Sequence, residues 1–270
     1  MSKIHKISHE LPINMLGRSF EINDYEYCLP HLLDQNPLYE EHFRYAREAG
    51  SYIIMDNSLH ELGEAYDTDR LLYWIHELEP DEFIVPDVWQ NTTQTIINAR
   101  KWSRVELPEG TTKVAVVQAN SYGEAYECYH ILKNDLGYEK IAFSYGADWY
   151  VDDFPHPNPL VGKMMGRIMT ISKMYKSKLI NKSDRVHLLG CALPQEFGYY
   201  ADFPFIESID TSNPIIHGLQ GVKYNSLGLL NKESIKIDQI DKEIDTDILY
   251  DINHNLIQFK QFIQDGNTKH

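Results

Sequence analysis

Residues 113–145 read KVAVVQANSYGEAYECYHILKNDLGYEKIAFSY. The two ends, Lys113–Ala119 and Lys140–Tyr145, are short, nearly unbroken apolar runs, as expected of strands buried on both faces. The middle, about 122–136, is a helix-length segment of mixed polar and apolar residues. Strand, helix and strand in this order form a βαβ unit, whose strands are parallel. The same alternation extends in both directions. Apolar runs occur at Tyr25–Leu29, Ser51–Asp56, Glu82–Asp87, Val186–Cys191 and Phe205–Asp210. Helices are predicted over about 37–49, 68–79, 91–104, 159–180 and 194–202. Gly221–Tyr224 is the best candidate for an eighth strand, and about 232–265 for closing helices. The pattern predicts an α/β chain forming a single-domain (β/α)8 TIM-type barrel over 1–270, a fold that needs roughly 250 residues. A doubly wound open sheet would be expected to carry a Gly-rich phosphate turn after its first strand. The sequence has no G-x-G-x-x-G and no Walker lysine motif.

Composition bounds the function. The 270 residues are 43 % hydrophobic and 24 % charged, ordinary for a globular domain. No apolar run approaches the roughly 20 residues of a membrane helix, and residues 1–10 hold no apolar signal core. Cys28, Cys128 and Cys191 are odd in number and far apart. They support neither a zinc ribbon nor a disulfide framework, and a reducing, cytoplasmic compartment is expected. The net charge of −15 argues against a general nucleic-acid binder, because Lys and Arg make phosphate contacts. One segment departs from this balance. Between Pro157 and Arg185, seven Lys and Arg residues face a single acid, Asp184. They form either a solvated helix face or a ridge on which Lys163, Arg167, Lys173 and Lys176 contact phosphates.

The active site of such a barrel lies at the C-terminal ends of its strands. Three runs end in aspartate, at Asp56, Asp87 and Asp210. Others end in Gln118, at Ser144-Tyr145-Gly146, and at Gly190-Cys191. An aspartate after a strand is often only the N-cap of the next helix. Here Asn57-Ser58, Asn91-Thr92 and Thr211-Ser212-Asn213 can do that capping instead. Three strand-end aspartates therefore point to carboxylate chemistry. No H-E-x-x-H or G-x-S-x-G occurs, so neither a zincin site nor an α/β-hydrolase nucleophile is expected. Cys191 reads as a small buried residue. Tyr145, Trp149, Tyr150, Tyr199 and Tyr200 read as packing aromatics or, alternatively, as platforms for a base.

The ordered set of segments resembles the tRNA-guanine transglycosylase superfamily over about residues 50–215. The family's Thr-Asp-Ser-Gly-Gly-Phe-Gln strand end is similar to IIMDNS at Ile53–Ser58, without the double glycine. Its base-reading aspartate matches IVPD ending at Asp87. Its valine-rich strand ending in Gln-Gly is similar to VVQA at 116–119, and a Gly-rich segment that binds the base carbonyl is loosely similar to FSYG at 143–146. Its Tyr-Leu-Met-Gly-Val-Gly segment, followed by the strand bearing the nucleophile, resembles HLLGCALP at 187–194 and IESIDTSNP at 206–214. The tRNA enzymes also carry a zinc-binding C-x-C-x-x-C motif after the nucleophile. No such motif occurs here, which favours the compact DNA-directed members that insert 7-deazaguanines, some of them phage-encoded.

The resemblance implies roles. Asp210 would be the covalent nucleophile and Asp56 the general acid and base. Asp87 would accept guanine N1–H and the amino group, Gln118 and the Gly146 amide would hold O6, and Ser144 and Gly190 would line the base site. The partners implied are DNA, or alternatively tRNA, and a free 7-deazaguanine base. No cofactor or metal is implied, a homodimer is compatible with the resemblance, and a phage enzyme would work in the host cytoplasm. Three alternatives stay open: a barrel hydrolase or lyase acting on a small molecule with the same aspartates, a tRNA-directed transglycosylase, and a non-catalytic accessory subunit.

Overall fold

The computed structural model describes residues 6–232 and 243–266. Its strands are β1 (Lys6–Ser8), β2 (Glu26–Cys28), β3 (Ile53–Met55), β4 (Glu82–Ile84), β5 (Thr112–Val117), β6 (Lys140–Ser144), β7 (Arg185–Leu189) and β8 (Ile206–Asp210). They form one sheet in the order β1-β8-β7-β6-β5-β4-β3-β2, and the registered pairs are parallel. Of the helices that the sequence predicts between the strands, those at about 37–49, 68–79, 91–104 and 159–180 are α-helices, Pro37–Glu48, Thr68–Leu78, Thr92–Trp102 and Pro159–Lys176, and the fold is a (β/α)8 TIM-type barrel. No helix among the described residues is long and apolar enough to cross a membrane. The chain divides into two compact units. One is Ile13–Phe143; the other joins the N-terminal strand to the chain from Ser144 onward.

In the unit Ile13–Phe143, the strand residues Cys28, Ile53, Ile54, Met55, Phe83, Val114, Ala115, Ala142 and Phe143 are fully buried. Side chains start the surrounding helices. Asn36 accepts from the Leu38 and Tyr39 amides, Asp67 from Arg70, Asn91 from Gln94 and Ser121 from Glu124, each satisfying N–H groups that the helix itself cannot pair. The segment 122–136 is not one α-helix. It is α-helical over Tyr122–His130 and widens to a π-turn over Ile131–Asp135.

A buried ion pair lies in the same unit. Lys140 Nζ donates to Glu82 Oε2 at 2.6 Å, and Tyr52 Oη donates to Glu82 Oε1 at 2.7 Å. Both charges are at most 1 % exposed. Removing one partner strands the other charge in the core. Lys140→Met is therefore expected to cost about 3–5 kcal/mol in urea unfolding, and Lys140→Met with Glu82→Leu markedly less. Equal losses in the single and double variants would show that the pair does not act as a unit.

In the other unit, β8 lies between β1 and β7, so Asp210 pairs with Ser8 on one side and Leu189 on the other. The eighth strand is thus N-terminal, and Gly221–Tyr224 is not a strand. Gly221 has φ 71°, and the Val222 amide turns back to the His217 carbonyl. The run 194–202 is a 3-10 helix, Pro194–Tyr200, rather than an α-helix. Of the expected closing segment, 233–242 lies outside the described residues, and Thr246–Gly266 is a single helix. It packs on helix Asn213–Leu219 at Gly218, where a Cβ would come within 2.6 Å of the Ile252 Cα. Only glycine allows that approach.

Candidate active site

In the unit Ile13–Phe143, three strand ends carry a connected polar array. Asp87 is 4 % exposed and lies three residues beyond β4. Its Oδ1 accepts from Asn57 Nδ2 and its Oδ2 from Gln118 Nε2, both at 2.7 Å. Burial pushes the Asp87 carboxyl above its ordinary range, opposed by the bonds from Gln118 and Asn57. Gln118 Oε1 accepts the Gln90 amide at 3.0 Å, and Asn120 Nδ2 donates to the Gln90 carbonyl at 2.7 Å. These two bonds hold Gln90 in a left-handed conformation, φ 50°. Asp56, next after β3, is 8 % exposed. Its Oδ1 accepts from Tyr27 Oη at 3.0 Å and its Oδ2 from the Ser58 amide at 2.9 Å.

In the other unit, Asp210 ends β8 and is 4 % exposed. Its Oδ1 lies 2.9 Å from His187 Nε2, and its Oδ2 accepts the Gly190 amide at 3.3 Å. His187 is fully buried in β7, with Nδ1 2.8 Å from Ser208 Oγ. Ser144 ends β6, and its carbonyl accepts from Tyr150 Oη at 3.2 Å. The Gly146 carbonyl accepts from Lys163 Nζ at 2.9 Å. The Lys232 ammonium lies 3.6 Å from the centre of the Tyr145 ring and donates to the Cys191 carbonyl.

None of the three aspartates caps a helix; the N-cap positions that follow them are Ser58, Asn91 and Ser212. Their carboxylates instead take partners from neighbouring strands and from the segments that follow strands: Tyr27 and Ser58 at Asp56, Asn57 and Gln118 at Asp87, His187 and Gly190 at Asp210, so all three buried groups are hydrogen-bonded. The structure brings Asp87 and Gln118 into direct contact, with Asn57 linking them to the turn after Asp56, and it joins Asp210 to Gly190. His187 was only weakly legible as a site residue. The signal was a histidine inside an otherwise apolar strand, where a buried ring needs partners. Trp89, two residues after Asp87, is 40 % exposed, whereas Trp74, Trp102 and Trp149 are buried.

The basic ridge needs correction. Arg167 is fully buried and does not face solvent. Its Nε donates to Glu196 Oε1 at 2.6 Å, and its terminal nitrogens donate to the Leu189 and Gly190 carbonyls at 3.0 and 2.8 Å. The cause is helical periodicity. Met164, Arg167, Ile168, Ile171 and Met174 share the buried stripe of helix Pro159–Lys176, and a count of charges along the chain ignores that stripe. Lys163 also pairs with Asp148, and Lys173 stands 3.7 Å from Asp153. Lys176 is exposed.

Trp149, Tyr150 and Tyr200 are core residues, leaving Tyr145 and Tyr199 accessible. Cys191 is buried, and burial pushes its thiol up to about 11 despite Lys232 and Thr211, so it stays protonated and a poor nucleophile near neutral pH. Among the described residues, no group of three or more His, Cys, Asp and Glu is arranged to hold a metal ion. No family model matches the sequence, and no curated protein matches it.

Proposed function

We propose that the protein is a base-exchange glycosyltransferase. It replaces guanine in a polynucleotide, DNA in the first instance, by a 7-deazaguanine derivative through a covalent glycosyl–Asp210 intermediate. The observation that carries this reading is the Gln118–Asp87 contact. A carboxylate beside an amide complements the guanine edge, where N1–H and the amino group donate next to the O6 acceptor. Each Asp87 oxygen keeps lone-pair capacity beyond its one side-chain donor, and the Gln118 amide keeps a second N–H.

The roles of Asp210 and Asp56 rest on the resemblance. Asp210 attacks C1′ as the C1′–N9 bond breaks, and Asp56 gives the departing guanine its proton at N9. The incoming base then loses its N9 proton to Asp56 and attacks C1′, and Asp210 leaves. Two inversions retain the sugar configuration. In duplex DNA the target base must first leave the stack, at a few kcal/mol. The reading is tested by mass spectrometry of nucleosides from DNA incubated with the protein and candidate 7-deazaguanine bases. The expected result is a 7-deazaguanine nucleoside with matching release of guanine. Failure to exchange in both DNA and tRNA overturns it.

A second reading, a small-molecule hydrolase or lyase using the same aspartates, is favoured by the net charge of −15 and by the burial of Arg167. Salt dependence separates the two. If Lys173 and Lys176 contact phosphates, reversing both to Glu is expected to weaken DNA binding. It should also flatten the plot of log affinity against log salt by about one unit per lost contact. Binding unchanged in strength and slope returns these lysines to a solvated helix face.

A further inference from the structure

We infer that Arg167 is a positioning residue for Asp210, acting through the Leu189–Gly190 peptide. That peptide is trans, since the described chain contains no cis bond, and in a trans peptide the carbonyl and the N–H point in opposite directions. The Leu189 carbonyl is held by Arg167 at 3.0 Å, and the Gly190 N–H of the same peptide points to Asp210 Oδ2 at 3.3 Å. Anchoring one end of the peptide therefore aims the other. The next carbonyl, that of Gly190, is held by the same guanidinium at 2.8 Å, so two successive peptide planes are fixed.

The remaining contacts leave this segment little freedom. Gly190 has φ 58°, a left-handed conformation that favours glycine. A Cβ there would meet the Tyr145 ring at 2.5 Å. Tyr145 thus packs against one side of the turn while Arg167 grips its carbonyls. Arg167 is in turn fixed by Glu196 at 2.6 Å, and Tyr200 Oη donates to that same Glu196 oxygen at 2.6 Å. Both charges of the pair are fully buried. A planar guanidinium can serve one carboxylate and two carbonyls at fixed angles, whereas an ammonium on a flexible stem cannot. A strut that only held helix Pro159–Lys176 in place would need the Glu196 pair. It would not need both nitrogens of the fork on the turn that donates to Asp210.

The test has two arms. The first is hydrogen exchange of the Gly190 amide, read by NMR on the full chain. It is independent of the glycosyl-transfer reading. Arg167→Lys is expected to speed Gly190 exchange by roughly tenfold, about the loss of one modest hydrogen bond, while the amides of Leu188 in β7 and Ile209 in β8 keep their protection. Tyr200→Phe, which removes one hydroxyl and leaves the guanidinium in place, is expected to speed it by a smaller factor. If Arg167→Lys does not fold, Tyr200→Phe decides alone. Gly190 exchange unchanged in the folded variants, or accelerated equally across both strands, overturns the inference.

The second arm is kinetic and rests on the proposed function. Arg167→Lys is expected to lower kcat for base exchange by up to about 10²-fold, the scale of a small misplacement at a reacting group, with KM for the free base within about twofold. A rise in KM with kcat unchanged also overturns the inference. Absence of exchange by the wild-type protein removes the proposed function but leaves the amide-exchange result standing.

Discussion

Asp210→Asn is expected to abolish base exchange and leave the fold and the binding of the free base largely intact. The amide is nearly isosteric with the carboxylate but is a far poorer nucleophile. The local network can absorb it. The asparagine oxygen can still accept the Gly190 amide, which reaches Oδ2 at 3.3 Å in the wild type. The asparagine nitrogen then faces His187 Nε2, at 2.9 Å from Asp210 Oδ1. A neutral histidine can present either a donor or an acceptor there. In the tautomer with its proton on Nδ1, His187 donates to Ser208 Oγ, 2.8 Å away, and accepts at Nε2. Each nitrogen and oxygen of this network thus keeps a hydrogen-bond contact, with the Ser208 hydroxyl turning from donor to acceptor toward His187, so the melting temperature should shift little. Trapping supplies the decisive readout. Wild-type protein with DNA and a competing base should yield a denaturation-resistant protein–DNA adduct, and Asp210→Asn none. Normal exchange by Asp210→Asn would remove the mechanism.

The sequence made most of the barrel legible because its strands are buried on both faces, so β3, β4, β5, β6, β7 and β8 each stand out as apolar runs. The N-terminal strand escaped notice for the opposite reason. Lys6-Ile-Ser8 has a single apolar residue, and it is a strand because it lies along β8, a long-range pairing invisible to local pattern. Asp56, Asp87, Gln118 and Asp210 were legible as strand-end polar residues. What that reading could not supply was the donors. Asn57 comes from a turn, Tyr27 from the neighbouring strand and His187 from inside β7. Arg167 shows the reverse error: its charge was counted along the chain, while its side chain lies on the buried stripe of its helix.

Asp56→Asn is expected to slow exchange by about 10²–10⁴-fold, the usual scale for losing a positioned proton-transfer group, through a different step from Asp210→Asn. The substitution should again be tolerated by the fold. The Ser58 amide can only donate, so the asparagine oxygen takes the place of Oδ2, 2.9 Å from it. The asparagine nitrogen then faces Tyr27 Oη, 3.0 Å from Oδ1 in the wild type, and a phenol that donates to a carboxylate can instead accept from an amide. The geometry survives, and the group that exchanges a proton with the base is gone. A leaving group that needs no proton should therefore rescue the first half-reaction. In DNA carrying 7-methylguanine the base is already cationic and departs from C1′ as a neutral molecule. With that substrate, Asp56→Asn is expected to form the covalent adduct at close to the wild-type rate, while Asp210→Asn still forms none. An adduct rate for Asp56→Asn that stays depressed by the same factor on 7-methylguanine as on guanine would show that Asp56 does not protonate the leaving base.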